Sequence, residues 1–293
     1  MMNDFQHQPV LTRELIELLD PRPGEVFVDA TIGLGGHAAV ILDKLGPRGK
    51  LIGIDQDEKA LHIAQRNLER YADQLVLVGG NFRGLIQLVE SVAQRRRIDG
   101  ILFDLGVSSL QLNDPERGFS FNKSDRLDMR MDAAGELTAE WIINHYSAKE
   151  LARVLREFGE EPKADQIAKR IFEARRRHSI TTVAELVGLI GGRPGKIHPA
   201  TRVFQALRIA VNDELQAIET ALPQAVQLLK PGGRLAVICF HSLEDRIVKR
   251  YFRTLATGGS VRLLTKKAVQ PSWSEVRTNR RARRARLRAV EKL

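Results

Sequence analysis

The sequence predicts an α/β protein: a mostly parallel sheet with helices on both faces and a helical domain inserted into it. Three observations predict this. Short apolar runs alternate with amphipathic helical stretches through the first third of the 293 residues. Between residues 110 and 210 the alternation stops, leaving helix signals and no convincing strand. It resumes before the C-terminus. Residues 1–109 and 211–293 are therefore read as one α/β domain, and residues 110–210 as the insertion.

The elements follow in order. Leu11 to Leu19 carries apolar residues at helical spacing and is closed by Asp20-Pro21-Arg22-Pro23-Gly24. Val26 to Asp29 reads as a strand, followed by a glycine-rich turn and a helix from Gly36 to Leu45. Leu51 to Asp55 is a second strand and Glu58 to Tyr71 a helix. A third strand is Leu75 to Val78, with a helix from Gly84 to Arg96, and the fourth strand is Ile98 to Leu105. In the insertion, Thr138–His145, Ala148–Phe158, Lys163–Arg177 and Thr182–Ile190 read as helices, with Thr138 and Ser147 as natural starts. His198-Pro199-Ala200 opens the helix that leads back to the sheet. Asp213 to Leu229 is a further helix, Lys230-Pro231-Gly232-Gly233 a turn, and Leu235 to Phe240 strand five. From Thr257 the chain reads as irregular until a last strand at Leu287 to Val290.

Composition narrows the class. No apolar run approaches the ~20 residues that span a bilayer. Met1-Met2-Asn3-Asp4-Phe5-Gln6 lacks the basic and apolar stretches of a signal peptide. Cys239 is the only cysteine, which excludes an intrachain disulfide and a cysteine-built zinc site. The expectation is a cytoplasmic protein without a structural metal and without a membrane, with monomer and homodimer both open. The net charge is +10, and Arg277 to Leu293, with seven Arg and one Lys against one Glu, carries +7 of it. Such a segment reads as a phosphate-binding arm. Arg95-Arg96-Arg97 and Arg175-Arg176-Arg177-His178 point the same way more weakly. His7, His62, His145 and His178 show no ligand spacing.

The richest stretch is Asp29-Ala30-Thr31-Ile32-Gly33-Leu34-Gly35-Gly36-His37, with Asp55 ending the next strand. Strand, glycine turn, helix, strand and acid is the layout of a nucleotide-type cofactor site, in which Asp55 would accept hydrogen bonds from ribose hydroxyls. Gly33 to Ala38 formally fits the dinucleotide pattern. Asp29 argues against a pyrophosphate, since no Lys or Arg between Asp29 and Lys44 compensates it. S-adenosylmethionine (AdoMet), with a sulfonium and an ammonium and no phosphate, suits a nearby carboxylate better. A nicotinamide dinucleotide and an ordinary tight turn stay as alternatives.

Ligands of an open α/β sheet sit beyond the carboxyl ends of the strands. After strand three comes Phe82, suited to stacking on an adenine or to the core. After strand four come Asp104, Ser108, Ser109 and Gln111, and after strand five His241, Ser242 and Arg246. Between them, Arg117-Gly118-Phe119-Ser120-Phe121 and Asp125 to Asp132 interleave charges with aromatics and methionines. Such a loop can wrap a planar base or anchor the insertion by salt bridges. Arg202 is placed to reach a phosphate.

With these segments the chain resembles, along nearly its whole length, the bacterial 16S rRNA (cytosine-N4)-methyltransferases of the RsmH/MraW family. The matching motifs are His7-Gln8-Pro9-Val10-Leu11, Asp29 to His37, and Phe103-Asp104-Leu105-Gly106-Val107-Ser108-Ser109. They continue with Arg117 to Phe121, Leu127 to Asp132, His198 to Leu215, and Phe240 to Lys249. Asn279-Arg280-Arg281-Ala282-Arg283-Arg284-Ala285 is richer in arginine than the family's N-P-R-A-R-S-A. The resemblance implies a class I AdoMet-dependent methyltransferase, Rossmann-like, with an inserted helical substrate-recognition domain. It implies AdoMet contacts at Gly35, Gly36, His37, Asp55, Phe82, Asp104 and Gln111, and Gly33 of the same turn is counted with the cofactor site. The implied target is a decoding-region cytidine of 16S rRNA within the small ribosomal subunit.

Exocyclic N4 of cytosine is a poor nucleophile, so the enzyme must align it with the methyl and accept its protons. The place of the N/D-P-P-Y-type loop of DNA amino-methyltransferases reads Asp104-Leu105-Gly106-Val107, without proline or aromatic. The candidate acceptors are Asp104 or a neighbouring carbonyl, then Asp128, with His241 as a proton acceptor. Ser108, Ser109 and Ser242 are expected at the substrate, Phe119 or Phe121 to stack on the base, and Arg130, Arg202 and Arg246 to hold phosphate.

Overall fold

The computed structural model describes residues 9–93, 97–121, 126–192 and 198–293; His7, Gln8, Arg95, Arg96 and Asp125 lie outside the described residues. Its contacts divide the chain into two compact units, one of residues up to Gly106 together with Leu215–Leu293, the other Val107–Glu214.

The first unit opens with α1 (Thr12–Leu19), β1 (Val26–Asp29), α2 (Gly36–Leu45), β2 (Lys50–Asp55), α3 (Glu58–Asn67), β3 (Leu75–Gly79), α4 (Leu85–Ala93) and β4 (Ile98–Asp104). The second unit holds α5 (Ser109–Asn113), α6 (Ala139–His145), α7 (Ala148–Gly159), α8 (Ala164–Arg175), α9 (Val183–Ile190) and α10 (Ala200–Asn212). The chain ends with α11 (Glu214–Leu228), β5 (Leu229–Cys239), α12 (Ser242–Thr257), β6 (Val261–Leu263), α13 (Trp273–Thr278) and β7 (Arg286–Lys292). The sheet order is β3-β2-β1-β4-β5-β7-β6. Strands β1 to β5 run parallel, and β7 returns antiparallel beside β5.

The central strands read as unbroken apolar runs because both faces of the sheet are covered. Side chains alternate between two cores with the period of two that a strand imposes. Val28, Ile52, Ile101, Phe103 and Val237 lie in one core with Leu85, Val89 and Phe252. Phe27, Leu51, Leu102, Ala236 and Ile238 lie in the other with Leu15, Ile41 and Leu42.

Three differences from the sequence reading have local causes. The turn at Lys230–Gly233 is a bulge within β5: Ile98 pairs with Leu229 and Gly100 with Arg234. The stretch after Thr257 contains β6, α13 and a 3-10 helix at Arg280–Arg284, too short to show a period. The five-residue α5 is likewise too short to show a period, although Ser108 and Gln111 form a complete capping box.

Strand β7 is locked to α12 by charge. Asp245 is buried, and its carboxylate accepts from Arg288 Nε at 2.6 Å and Arg286 Nη1 at 2.9 Å. Burial alone would raise the Asp245 pKa, but these two guanidinium groups outweigh it and hold it below the usual carboxylate range. Asp245→Ala would strand the buried Arg288 guanidinium. The expected loss is about 3–5 kcal/mol in urea unfolding, with the D245L/R288M pair recovering most of it. A double variant as unstable as Asp245→Ala would refute the charge explanation.

The second unit closes around its own core, drawn from α6 to α10 and from Phe119, Leu127, Met129 and Met131. Helices α7 and α10 approach so closely that a Cβ on Gly159 would lie 2.6 Å from the Arg202 carbonyl oxygen. The loop before α6 is tied inward. Asn212 Oδ1 accepts from Met131 N–H at 2.7 Å, and Asn212 Nδ2 donates to the Met129 carbonyl at 2.8 Å. No helix of the described residues is long and apolar enough to cross a membrane.

Candidate active site

Three neighbouring strands, β2, β1 and β4, each end in an aspartate: Asp55, Asp29 and Asp104. Parallel pairing brings these carboxylates to one edge of the sheet, where the glycine turn starts. The turn is built onto them. Gly33 N–H donates to Asp55 Oδ2 at 2.9 Å and Asp57 N–H to Asp55 Oδ1 at 3.0 Å. Thr31 N–H donates to Asp29 Oδ1 at 3.2 Å, and the Thr31 hydroxyl accepts from Asp104 N–H at 2.6 Å. Thr31, absent from the sequence-derived site, thus joins two of the three acids. A hydroxyl two residues past a strand-ending acid was its only signal.

The glycines serve packing as well as approach. Gly33 and Gly35 have φ of 52° and 89°, a region that costs any residue with a Cβ. At Gly35 a Cβ would also lie 2.8 Å from Leu68 Cδ1. Its lack of a side chain therefore seats the turn on Leu68, the residue that caps the end of α3. Gly36 opens α2.

His37 is buried between two acceptors. Its Nε2 lies 2.9 Å from the Val10 carbonyl oxygen, and Nδ1 lies 3.3 Å from Asp104 Oδ2. Burial by itself would lower the His37 pKa, but the Asp104 hydrogen bond and charge, with Asp29 and the Val10 carbonyl, raise it above its ordinary value. The imidazole is thus committed to orienting Asp104. Asp104 Oδ1 is buried and has no hydrogen-bond partner among the described residues, an acceptor left short of partners at a cost of about 1–3 kcal/mol.

Crowding shows in the acids themselves. Burial pushes Asp29 up to about 7, against the lowering effect of His37 and Thr31, and the Asp104 and Asp55 charges push it further. Burial likewise raises Asp55 to about 6, although the Asp57 and Gly33 amides stabilise its ionised form. An edge with more negative charge than it can hold favours a cationic ligand and repels a phosphate. The sulfonium and ammonium of AdoMet fit that donor set, and each carboxylate oxygen retains lone-pair capacity for hydroxyls. Asp29, the acid that argued against a pyrophosphate in the sequence, belongs to this cluster although it was not counted among the AdoMet contacts. Its position at a strand end, shared with Asp55 and Asp104, was the available signal.

Phe82 follows β3 in a 3-10 turn, half-buried, with its ring edge-to-face on Phe103 at 5.5 Å. After β5, His241 caps α12. Its Nδ1 accepts from Glu244 N–H at 3.4 Å, and Glu244 Oε2 accepts from Phe240 and His241 N–H at 2.7 and 3.2 Å. His241 Nε2 lies 3.0 Å from Glu244 Oε1 without hydrogen-bond alignment. In a neutral ring with Nδ1 accepting, Nε2 already carries the proton. Ser242 is the first residue of α12, and Arg246, exposed, lies one turn on.

The remaining sequence-derived site residues belong to the second unit. Ser108 and Gln111 cap α5 reciprocally, at 3.2 and 3.0 Å, and Ser109 is its first residue. Phe119 is buried in the helical core, 5.7 Å below the Arg117 guanidinium. Phe121 stacks on His198 at 4.5 Å and meets Phe204 edge-on. Arg130 Nε and Nη2 donate to Asp128 at 2.9 and 2.6 Å, and Nη1 donates to the Ala133 and Gly135 carbonyls. That commits four of the five guanidinium N–H groups. Burial would raise the Asp128 pKa, but the Arg130 hydrogen bonds and charge prevail and lower it. Arg202 is exposed on α10.

A family model described as the MraW methylase family matches residues 4–293. Proteins named ribosomal RNA small subunit methyltransferase H are similar over essentially full length. That of Heliobacterium mobile is 45% identical over 99% of this chain and 100% of its own. That of Syntrophotalea carbinolica is 46% identical over 99% and 98%. That of Thermomicrobium roseum is 47% identical over 98% and 94%.

Proposed function

The chain belongs to the MraW methylase family, and from that premise we propose that it transfers a methyl group from AdoMet to exocyclic N4 of a decoding-region cytidine in the 16S rRNA of the small ribosomal subunit. The fold is that of the class I AdoMet-dependent methyltransferases, with β7 antiparallel beside five parallel strands. The observation that carries the chemistry is the row of three strand-ending aspartates under the glycine turn.

When bound, AdoMet would supply an electrophilic methyl on its sulfonium, the C–S bond breaking to a neutral thioether as the C–N bond to N4 forms. Asp29 and Asp55 supply the negative edge that selects the cationic donor, with the backbone of Gly33, Gly35 and Gly36 and the ring of Phe82 lining its binding region. Asp104 accepts from the attacking amine and takes the proton released as the C–N bond forms. His37 holds Asp104 in place through Nδ1 and is itself held by Val10. Asp128 is neutralised by Arg130, which makes it a weaker acceptor than Asp104. His241 acts by fixing the start of α12. Ser108, Ser109, Phe121 and Arg202 belong to the helical unit, which we assign to substrate recognition; Gln111, expected at AdoMet, is in the same unit, and Ser242 and Arg246 lie on α12 of the first.

Labelled AdoMet and small subunits purified from cells lacking this enzyme test the reading, with nucleoside mass analysis of the product. N4-methylcytidine is the expected outcome. Label on a ring carbon or a ribose would overturn the assigned acceptor atom, and no transfer at all would overturn the activity.

A further inference from the structure

The arginine-rich segment before β7 is neither a loose tail nor a plain charge cluster. Its 3-10 helix, Arg280–Arg284, has close to three residues per turn, so residues three apart share a face. Ala282 and Ala285 are buried and join the core of the sheet, while Arg280, Arg283 and Arg284 are exposed. Arg281 sits half-buried between them, and burial lowers its pKa. Asn279 caps the turn, its Oδ1 accepting from Arg281 N–H at 3.2 Å. The segment is thus an ordered ridge with its charges facing out. No ion pair joins Arg277, Arg280, Arg283 or Arg284 to a carboxylate among the described residues.

Just upstream, α13 presents Trp273, 75% exposed, with the Arg277 guanidinium 5.1 Å over its ring. A tryptophan this exposed forfeits a large burial gain, and one face is already in cation–π contact. Aromatic faces beside ordered, unpaired arginines are the elements of a single-strand binding shelf: bases stack and phosphates pair.

Two observations place this shelf at the cofactor edge. Because β7 runs antiparallel to β5, its first residue, Arg286, pairs with Cys239, the last residue of β5. The ridge before Arg286 therefore lies at the carboxyl end of the parallel strands, the edge that carries Asp29, Asp55 and Asp104. In addition, Leu11 N–H donates to Glu275 Oε1 of α13 at 2.7 Å, next to Val10, whose carbonyl holds His37.

We propose that Trp273, Arg277, Arg280, Arg283 and Arg284 form a binding site for a single-stranded RNA segment, one base stacked on Trp273 and the following phosphates on the arginines. The site deepens the rRNA reading above and rests on it for the identity of the RNA. It holds the strand that flanks the target at the edge where the methyl donor binds.

The test uses the full-length W141F variant, which leaves Trp273 as the only tryptophan, and an unstructured pyrimidine oligoribonucleotide. Binding should quench Trp273 fluorescence. W273A should weaken binding about tenfold and W273F much less, in keeping with the cost of removing one stacked base. R280Q/R283Q/R284Q should lower the slope of log affinity against log salt by about 2, at ~0.7 per phosphate on a single strand. The AdoMet-induced rise in melting temperature should be unchanged in every variant. Absent quenching, an unchanged salt slope, or W273A binding RNA and inorganic polyphosphate as the parent does would each overturn the proposal; the last would reduce the patch to a general polyanion surface. Methyl transfer by the unmodified protein to small subunits is scored separately, so failure of the shelf and failure of the rRNA reading are told apart.

Discussion

Replacing Asp104 by asparagine should lower methyl transfer to small subunits by about 10²–10³-fold while weakening AdoMet binding no more than about tenfold, the scale seen when one preorganised polar group of a transition state is removed. The asymmetry follows from where charge develops. The N4 protons become acidic only as the C–N bond forms, so a carboxylate facing them contributes more to the transition state than to the bound complex. We propose Asp104 for this role. Its side chain stays partly exposed with Oδ2 oriented by His37, and its backbone is pinned by Thr31. Asparagine keeps the shape and loses the charge. Single-turnover methyl transfer and AdoMet titration on the same variant measure the two effects, and equal losses would make Asp104 a cofactor ligand only. His37→Ala should lower turnover less than Asp104→Asn does, since it removes only the positioning.

The second large effect concerns pH. In the ligand-free protein Asp29 is raised to about 7 and Asp55 to about 6 by burial, and His37 is raised by its acidic partners against burial. All three shifts have the same sign. A group whose pKa is higher in the folded than in the unfolded state contributes stability that is complete below the unfolded pKa and is lost as pH rises through the folded one. For Asp29 that window runs from about 4 to about 7. Asp29→Asn removes its part of the loss, so the variant should gain on the wild type by about 2–3 kcal/mol between pH 5 and pH 8, at ~1.4 kcal/mol per unit. AdoMet acts in the opposite direction. Its positive charge favours ionised carboxylates, so binding should release protons and tighten as pH rises through 6 to 7, and Asp29→Asn should blunt that dependence. Urea unfolding across the pH range, and calorimetry in two buffers of different ionisation enthalpy, test both halves. A stability difference that narrows toward pH 8, or proton uptake on binding, would be incompatible with a cation-selecting acid edge.

Much of the architecture was legible because it is written in short-range patterns. The strand-ending acids, the glycine turn and the capping residues Thr138, Ser147 and Thr182 each act within a few positions of themselves, and β1 and α2 fall on their expected bounds. What stayed hidden depends on partners far along the chain. His37, read from sequence as a ligand contact, has the Val10 carbonyl and Asp104 on its two ring nitrogens. Arg130 reads as a phosphate binder in a string of charges, yet its fork closes on Asp128 and two carbonyls of its own loop. Phe119, an aromatic in a polar segment, lies in the helical core.

By itself the sequence determined the α/β class and the inserted helices, since periodicity survives in one dimension, and the family, since its motifs are contiguous in the chain. Only the tertiary structure decided which polar groups are spent on the fold and which remain for a ligand. A hydrogen bond depends on partners meeting at about 3 Å in space, whatever their separation in the chain. The return of β7 against β5, which carries the arginine ridge to the edge where Asp29, Asp55 and Asp104 converge, is a decision of that kind.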